Sequence, residues 1–194
     1  MKKAKQKSPT IATQAASDSQ EAKDHLQRIA NGENRRQDKI NWSAVHEAGH
    51  IVMVYYCGAW LSRDGAYIYG NGNGYTGFVR WPLLDQRFGL IKLAGIVAER
   101  RYRHDRSALA NYPENFSELN EAVEFANQTF RQEGGPTVAK WSRRVSIIFS
   151  ESDVAEAILK VTDALLRRDH LTDEQATRLC GHLNRQIDKR HPAW

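Results

Sequence analysis

The five residues His46-Glu47-Ala48-Gly49-His50 place two imidazoles and a carboxylate within little more than one helical turn. Residues four apart in an α-helix lie about 40° apart around its axis, so both imidazoles leave the same face. That arrangement suits two corners of a tetrahedral zinc site, one Zn²⁺ per chain. Glu47 is then placed to take a proton from zinc-activated water. Such a string also arises by chance, so its surroundings carry weight. Ala44, Val45, Ala48 and the run Ile51-Val52-Met53-Val54 enclose it, which implies a buried helix rather than a wet surface.

A catalytic zinc needs a third protein ligand and an open position. No third His follows closely, because residues 51–61 contain none. On the helix expected over 116–130, Glu121 and Glu124 share the outer face with Asn120, Asn127 and Gln128. Glu118 lies instead beside Ala122 and Phe125, on the flank of the apolar stripe, which makes it the carboxylate best placed to point inward. The competing reading is a capping box, with Asn115 at the helix start and Glu118 reaching back to it. Spacing alone leaves the two even. Glu99 is expected to pair with Arg103 at i+4. His104 and Asp105 sit among four arginines, and His25, His170, His182 and His191 fall in the arm or on late helices; all read as surface groups.

The elements that must position these groups are mostly helical. The ordered part is expected from residue 39 to 190, with Asp38 to Ser43 offering N-caps for the motif helix. That helix runs to Cys57 and stops at Gly58. Two short strands follow, 66–69 and 77–81, joined by Gly70-Asn71-Gly72-Asn73-Gly74, which is hairpin-turn chemistry. No Gly-Lys-Ser/Thr accompanies these glycines, so they form no phosphate loop. From Leu84 to Tyr102 a helix is apolar nearly all round and belongs in the core. Its Gly95 and Ala98 permit a close neighbour, for which the motif helix is the expected partner. After the 116–130 helix, Gly134-Gly135-Pro136 reads as a break, 137–149 as helix or loop, and 152–168 and 172–189 as two closing helices. The fold class is mainly α with a small β-hairpin or sheet, an α+β domain.

The remaining composition narrows the class. A chain of 194 residues with 41% hydrophobic content has enough apolar residues for one compact core. Mean hydropathy of −0.64 and an apolar run of only 51–57 argue against a membrane span of about 20 residues. The lysines at 2, 3, 5 and 7 precede polar residues rather than an apolar stretch, so no signal peptide is read and a cytoplasmic location is expected. Residues 1–38 look like a basic, disordered arm that supplies much of the net charge of +5. Without a recognisable nucleic-acid module, nucleic acid is not the expected partner. Cys57 and Cys180 form no C-x-x-C pair and read as ordinary thiols.

Four segments in common order resemble the peptidase domain of the FtsH-type ATP-dependent zinc metalloproteases: the His46 to His50 string, Gly74-Tyr75-Thr76 with Pro82 beyond, Leu93-Ala94-Gly95-Ile96-Val97-Ala98-Glu99, and Glu118-Leu119-Asn120-Glu121-Ala122. More weakly, Ala164-Leu165-Leu166 and Leu171-Thr172-Asp173-Glu174 resemble the helix-turn-helix near that domain's end. The resemblance covers roughly 41–180. It implies a mainly helical zincin-like domain with a small β element, one zinc, and peptide-bond hydrolysis. His46 and His50 become ligands, Glu47 the general base, and Glu118 the third ligand. The family usually carries Asp where this chain has Glu118, and 131–149 does not align. No ATPase module or membrane anchor is read, so ATP is not expected to bind. A stand-alone metallopeptidase acting on peptides or unfolded protein is the function implied, with an extended substrate on the strand ending near Trp81. A zinc-binding regulator or scaffold of weak activity is the alternative.

Overall fold

The computed structural model describes residues 35–79, 85–102, 113–130 and 134–191. The expected arm up to residue 34 lies outside them. Among the described residues, seven helices and three strands run in the order α1 (Arg35–Tyr56), β1 (Leu61–Ile68), β2 (Gly74–Phe78), α2 (Asp85–Tyr102), α3 (Pro113–Phe130), α4 (Gly134–Ile148), α5 (Ser152–Arg168), β3 (His170–Leu171), α6 (Asp173–Cys180), a 3₁₀ turn (Gly181–Leu183) and α7 (Gln186–Arg190). The domain is mainly helical with a small antiparallel sheet of order β2-β1-β3.

The motif helix α1 is the axis of the core. Ala44, Val45, Ala48 and every residue from Ile51 to Cys57 are buried, with α2 packed on one side, α5 on another and the sheet alongside. It begins earlier than the caps at 38–43 suggested, because Arg, Gln and Lys extend a helix once the buried segment has nucleated it. Its end is as expected. Gly58 takes φ 83°, its N–H bonds Tyr55 O at 2.8 Å, and Ala59 N–H bonds Val54 O at 3.0 Å, a Schellman closure. Close contact between α1 and α2 rests on small residues, as read from Gly95 and Ala98. A Cβ at Gly49 would come within 2.7 Å of both Ala94 O and Ala98 Cβ.

The hairpin is displaced from its expected register. Tyr69 N–H bonds Asn73 O at 2.7 Å, Gly72 takes φ 86°, and Asn71 Oδ1 accepts from Asn73 N–H at 3.0 Å. The turn therefore closes before Gly74, which is a strand residue. β2 ends at Phe78, and Trp81 lies outside the described residues. β1 starts at Leu61 and is irregular between Leu61 and Ala66. The two-residue β3 was not foreseen; a strand that short carries no periodicity.

Three helical boundaries also differ. Gly134-Gly135-Pro136 open α4 instead of only breaking α3, since a proline in a first turn removes an N–H that has no helical partner. The ambiguous stretch is therefore helix, with Val138, Trp141, Val145 and Ile148 as its buried stripe. α5 has the limits expected. The single helix expected over 172–189 is interrupted after Cys180, and Arg185 adopts φ 57° so that its N–H reaches Tyr55 O at the end of α1, 3.2 Å away. Tyr55 O, which already accepts from Gly58 N–H, thereby gains a second donor from the far end of the chain. Among the described residues, no helix is long and apolar enough to cross a membrane.

Candidate metal centre

Three helices bring five groups to one point. From α1, His46 and His50 lie one turn apart with ring centroids 4.8 Å apart and Nε2 atoms 3.0 Å apart. From α3, Glu118 places Oε2 3.0 Å from His46 Nε2 and Oε1 3.4 Å from His50 Nε2. The three side chains can each offer a donor atom within 4.8 Å of the others. Helix α2 supplies the support from positions 91, 95 and 99, which share one face at i, i+4 and i+8. Ile91 O sits 2.7 Å from His50 Nδ1, and Glu99 Oε1 sits 2.7 Å from His46 Nδ1. Between them, Gly95 leaves room for both rings: a Cβ there would fall 2.6 Å from His50 Nε2 and closer still to His46 Nε2.

These partners determine which ring nitrogens hold hydrogen. A carbonyl only accepts, so His50 Nδ1 must donate to Ile91 O; Glu99 asks the same of His46 Nδ1. In the neutral rings both Nε2 atoms are then lone pairs, facing each other and a carboxylate. Glu118 Oε2 is buried and makes no well-formed hydrogen bond despite its nearness to His46. Three acceptors converging without a donor repel unless a cation lies among them. Separations of 3.0–3.4 Å also match ligands of a tetrahedral zinc, which stand about 3.3 Å apart when each bond is about 2.0–2.1 Å. The residues fit the ion, with Glu99 and Ile91 as its outer hydrogen-bond partners.

The same crowding governs protonation without metal. Burial pulls His46 down, but the nearby Glu118 carboxylate, with the hydrogen bond to Glu99, overcomes it and raises His46 well above its usual value. Burial raises Glu118, yet the charges and hydrogen bonds of His50 and His46 hold it far below the usual carboxylate range. Without metal, the His46–Glu118 pair favours a proton in the place suited to the ion.

Glu47 points to β2. Thr76 donates from Oγ1 to Glu47 Oε2 at 2.6 Å, and a Cβ at Gly74 would lie 2.8 Å from Glu47 Cδ. Glu47 as a whole is 5% exposed. Burial raises its pKa, and Glu118 adds to that, against the opposing pull of His46, His50 and Thr76.

The structure brings together His46, Glu47, His50 and Glu118. It does not support the capping-box reading of Glu118: α3 begins at Pro113, so residue 118 lies beyond the first turn. Lys92 pairs with Glu121 at 2.7 Å, and Phe88 packs edge-on against Phe125 at 4.7 Å, tying α3 to α2 with Glu118 turned inward. Glu99, expected in sequence to pair with Arg103, is 6% exposed and bonded to His46, while Arg103 lies outside the described residues. Its signal was the i+4 spacing from Gly95. Thr76 went unread as a partner of Glu47. His25, His104 and Asp105 lie outside the described residues; His170, His182 and His191 stand away from the cluster. Comparison with known proteins found no matching family model, curated protein or solved structure.

Proposed function

We propose that the chain is a zinc metallopeptidase with a zincin-like site of the FtsH peptidase-domain type. The observation that carries this is the convergence of two tautomer-fixed imidazoles, His46 and His50, and the Glu118 carboxylate, beside a second buried carboxylate, Glu47, that stands outside the cluster. When bound, zinc would supply Lewis acidity, acidifying water and polarising the scissile carbonyl. Glu47 takes the proton from the attacking water and delivers it to the leaving amine, a task for which an upward-shifted carboxylate is suited. Thr76 holds one Glu47 oxygen, so the carboxylate keeps a single orientation. Glu99 and Ile91 hold the imidazoles with Nε2 facing the ion.

Substrate would lie along β2. This strand has a partner on one side only among the described residues, and its Gly74 and Thr76 touch Glu47. An extended peptide added to that edge would pass the general base. The test pairs zinc content with cleavage of an unfolded protein by wild type and Glu47→Gln. The variant should keep zinc and lose hydrolysis by at least about 100-fold; equal turnover would remove Glu47 from the chemistry. Zinc without cleavage in wild type would favour the scaffold alternative.

A further inference from the structure

Backbone parity in the hairpin separates two kinds of residue on β2. Tyr69 N–H bonds Asn73 O, and the register continues Ile68 to Gly74, Tyr67 to Tyr75 and Ala66 to Thr76. In an antiparallel pair, residues alternate between facing their partner with both main-chain groups and facing away. Tyr75 therefore turns its N–H and C=O to Tyr67, while Gly74 and Thr76 turn theirs to the outer edge. The bond from Ile68 N–H to Asp169 O at 2.9 Å, on the β3 side of β1, obeys the same parity. The two residues that touch Glu47 are thus the two that offer main chain to a substrate.

Side chains alternate as well. Gly74 and Thr76 occupy the Glu47 face, and Tyr75 occupies the other. There Tyr75 is 44% exposed, its ring 5.1 Å from Tyr67, which in turn lies 4.9 Å from Tyr69 and 6.2 Å from His170. Tyr75, Tyr67 and His170 are register partners, so their rings form a row across all three strands. A peptide paired antiparallel with the β2 edge would bond Gly74 and Thr76, and the residue between those bonds would stand opposite Tyr75. This is the closer, non-hydrogen-bonded kind of pair, with Cα atoms about 4.5 Å apart.

We propose that Tyr75, continued by Tyr67 and His170, is a specificity determinant that selects peptides with an aromatic side chain opposite it, on the face away from Glu47. The inference rests on the peptidase reading above. An aromatic pair at this position is expected to favour Phe or Tyr over Ser by about 3- to 10-fold.

The experiment uses short host peptides of Ala, Lys and Ser with a single Phe or with Ser in its place. Zinc-loaded wild type, Tyr75→Ala and Tyr75→Phe are compared for kcat/KM and cleavage position. Binding of fluorescein-labelled peptides to Glu47→Gln, with and without Tyr75→Ala, is measured by anisotropy. Wild type and Tyr75→Phe should prefer the Phe peptide and cut at a fixed offset from it. Tyr75→Ala should lose both preference and offset while still cutting the Ser peptide. Unchanged discrimination in Tyr75→Ala, or equal cleavage of both peptides by wild type, overturns the inference and leaves the peptidase reading standing. Tyr75-dependent binding of the Phe peptide with no cleavage by wild type upholds the aromatic selection and overturns the peptidase reading. Absence of both binding and cleavage overturns both.

Discussion

Among the described residues, histidine meets glutamate in two regions, and the two are built in opposite ways. At the C-terminal end, Glu151 accepts from Tyr56 Oη at 3.0 and 3.2 Å, from His191 at 3.0 Å and from Arg190, while Asp153 takes the other Arg190 nitrogen at 2.6 Å. Acceptors there are matched by donors, and the cluster holds α7 against α1 and α5. At the candidate metal centre, acceptors outnumber donors: both Nε2 atoms and Glu118 face one another, because Ile91 and Glu99 have already engaged the Nδ1 hydrogens. A balanced cluster closes on itself and serves the fold. An unbalanced one, held in place by its surroundings, is a site for something positively charged.

The sharpest test of this difference removes the histidines. His46→Ala with His50→Ala should abolish stoichiometric zinc, measured by elemental analysis, whereas His191→Ala should leave it at one per chain. Full zinc in the double variant would break the comparison. Glu118 comes next. Glu118→Ala should weaken zinc severely and Glu118→Asp should recover part of the affinity, as read by competition with a chromogenic chelator. Glu99→Gln, which disturbs a ligand's partner rather than a ligand, should weaken zinc by about 10- to 100-fold. An unchanged affinity would remove Glu99 from the site.

The two regions should also titrate from opposite ends. His46 is raised in the metal-free fold, so its contribution is complete below the unfolded value of about 6.5 and is lost as pH rises through the folded one. The melting temperature of chelator-treated protein should therefore fall with rising pH above about 6.5, while zinc-loaded protein holds. A gap between the two that narrows over that range would contradict this. Asp153 is lowered, chiefly by its hydrogen bond to Arg190. Its contribution is present above the unfolded value of about 3.9 and is lost as pH falls through the folded one. Asp153→Asn should make the smallest change, at most about 1 kcal/mol for so exposed a pair. It should be visible in urea melts at neutral pH and vanish in strong acid; an equal loss at both would refute it.

Much of the fold could be read directly. The motif helix, the core helix from 85 and the limits of α5 follow from apolar periodicity, and Gly58 marks the stop of α1 by the left-handed backbone it adopts. The late helix was misread because Leu183 and Ile187 keep helical spacing through the break. Its cause is Arg185 N–H reaching Tyr55 O, a bond between residues 130 positions apart in the chain. The hairpin slipped for a related reason: five residues of turn chemistry fit more than one register, and only pairing with β1 selects among them.

Sequence by itself determined the pair His46 and His50, because an i, i+4 spacing is a local property that any helix converts into a shared face. It also placed Glu47 between them and allowed Gly95 to lie against them. Tertiary structure decided what could not be local. Glu118 is 68 residues beyond His50, and its choice between cap and cluster depended on where α3 begins and how it packs on α2. For Glu99 the sequence offered only Arg103 at i+4, and it is the packing of α2 against α1 that buries it beside His46. A carboxylate's role depends on the charge and hydrogen it meets, and for these two the partners come from another helix.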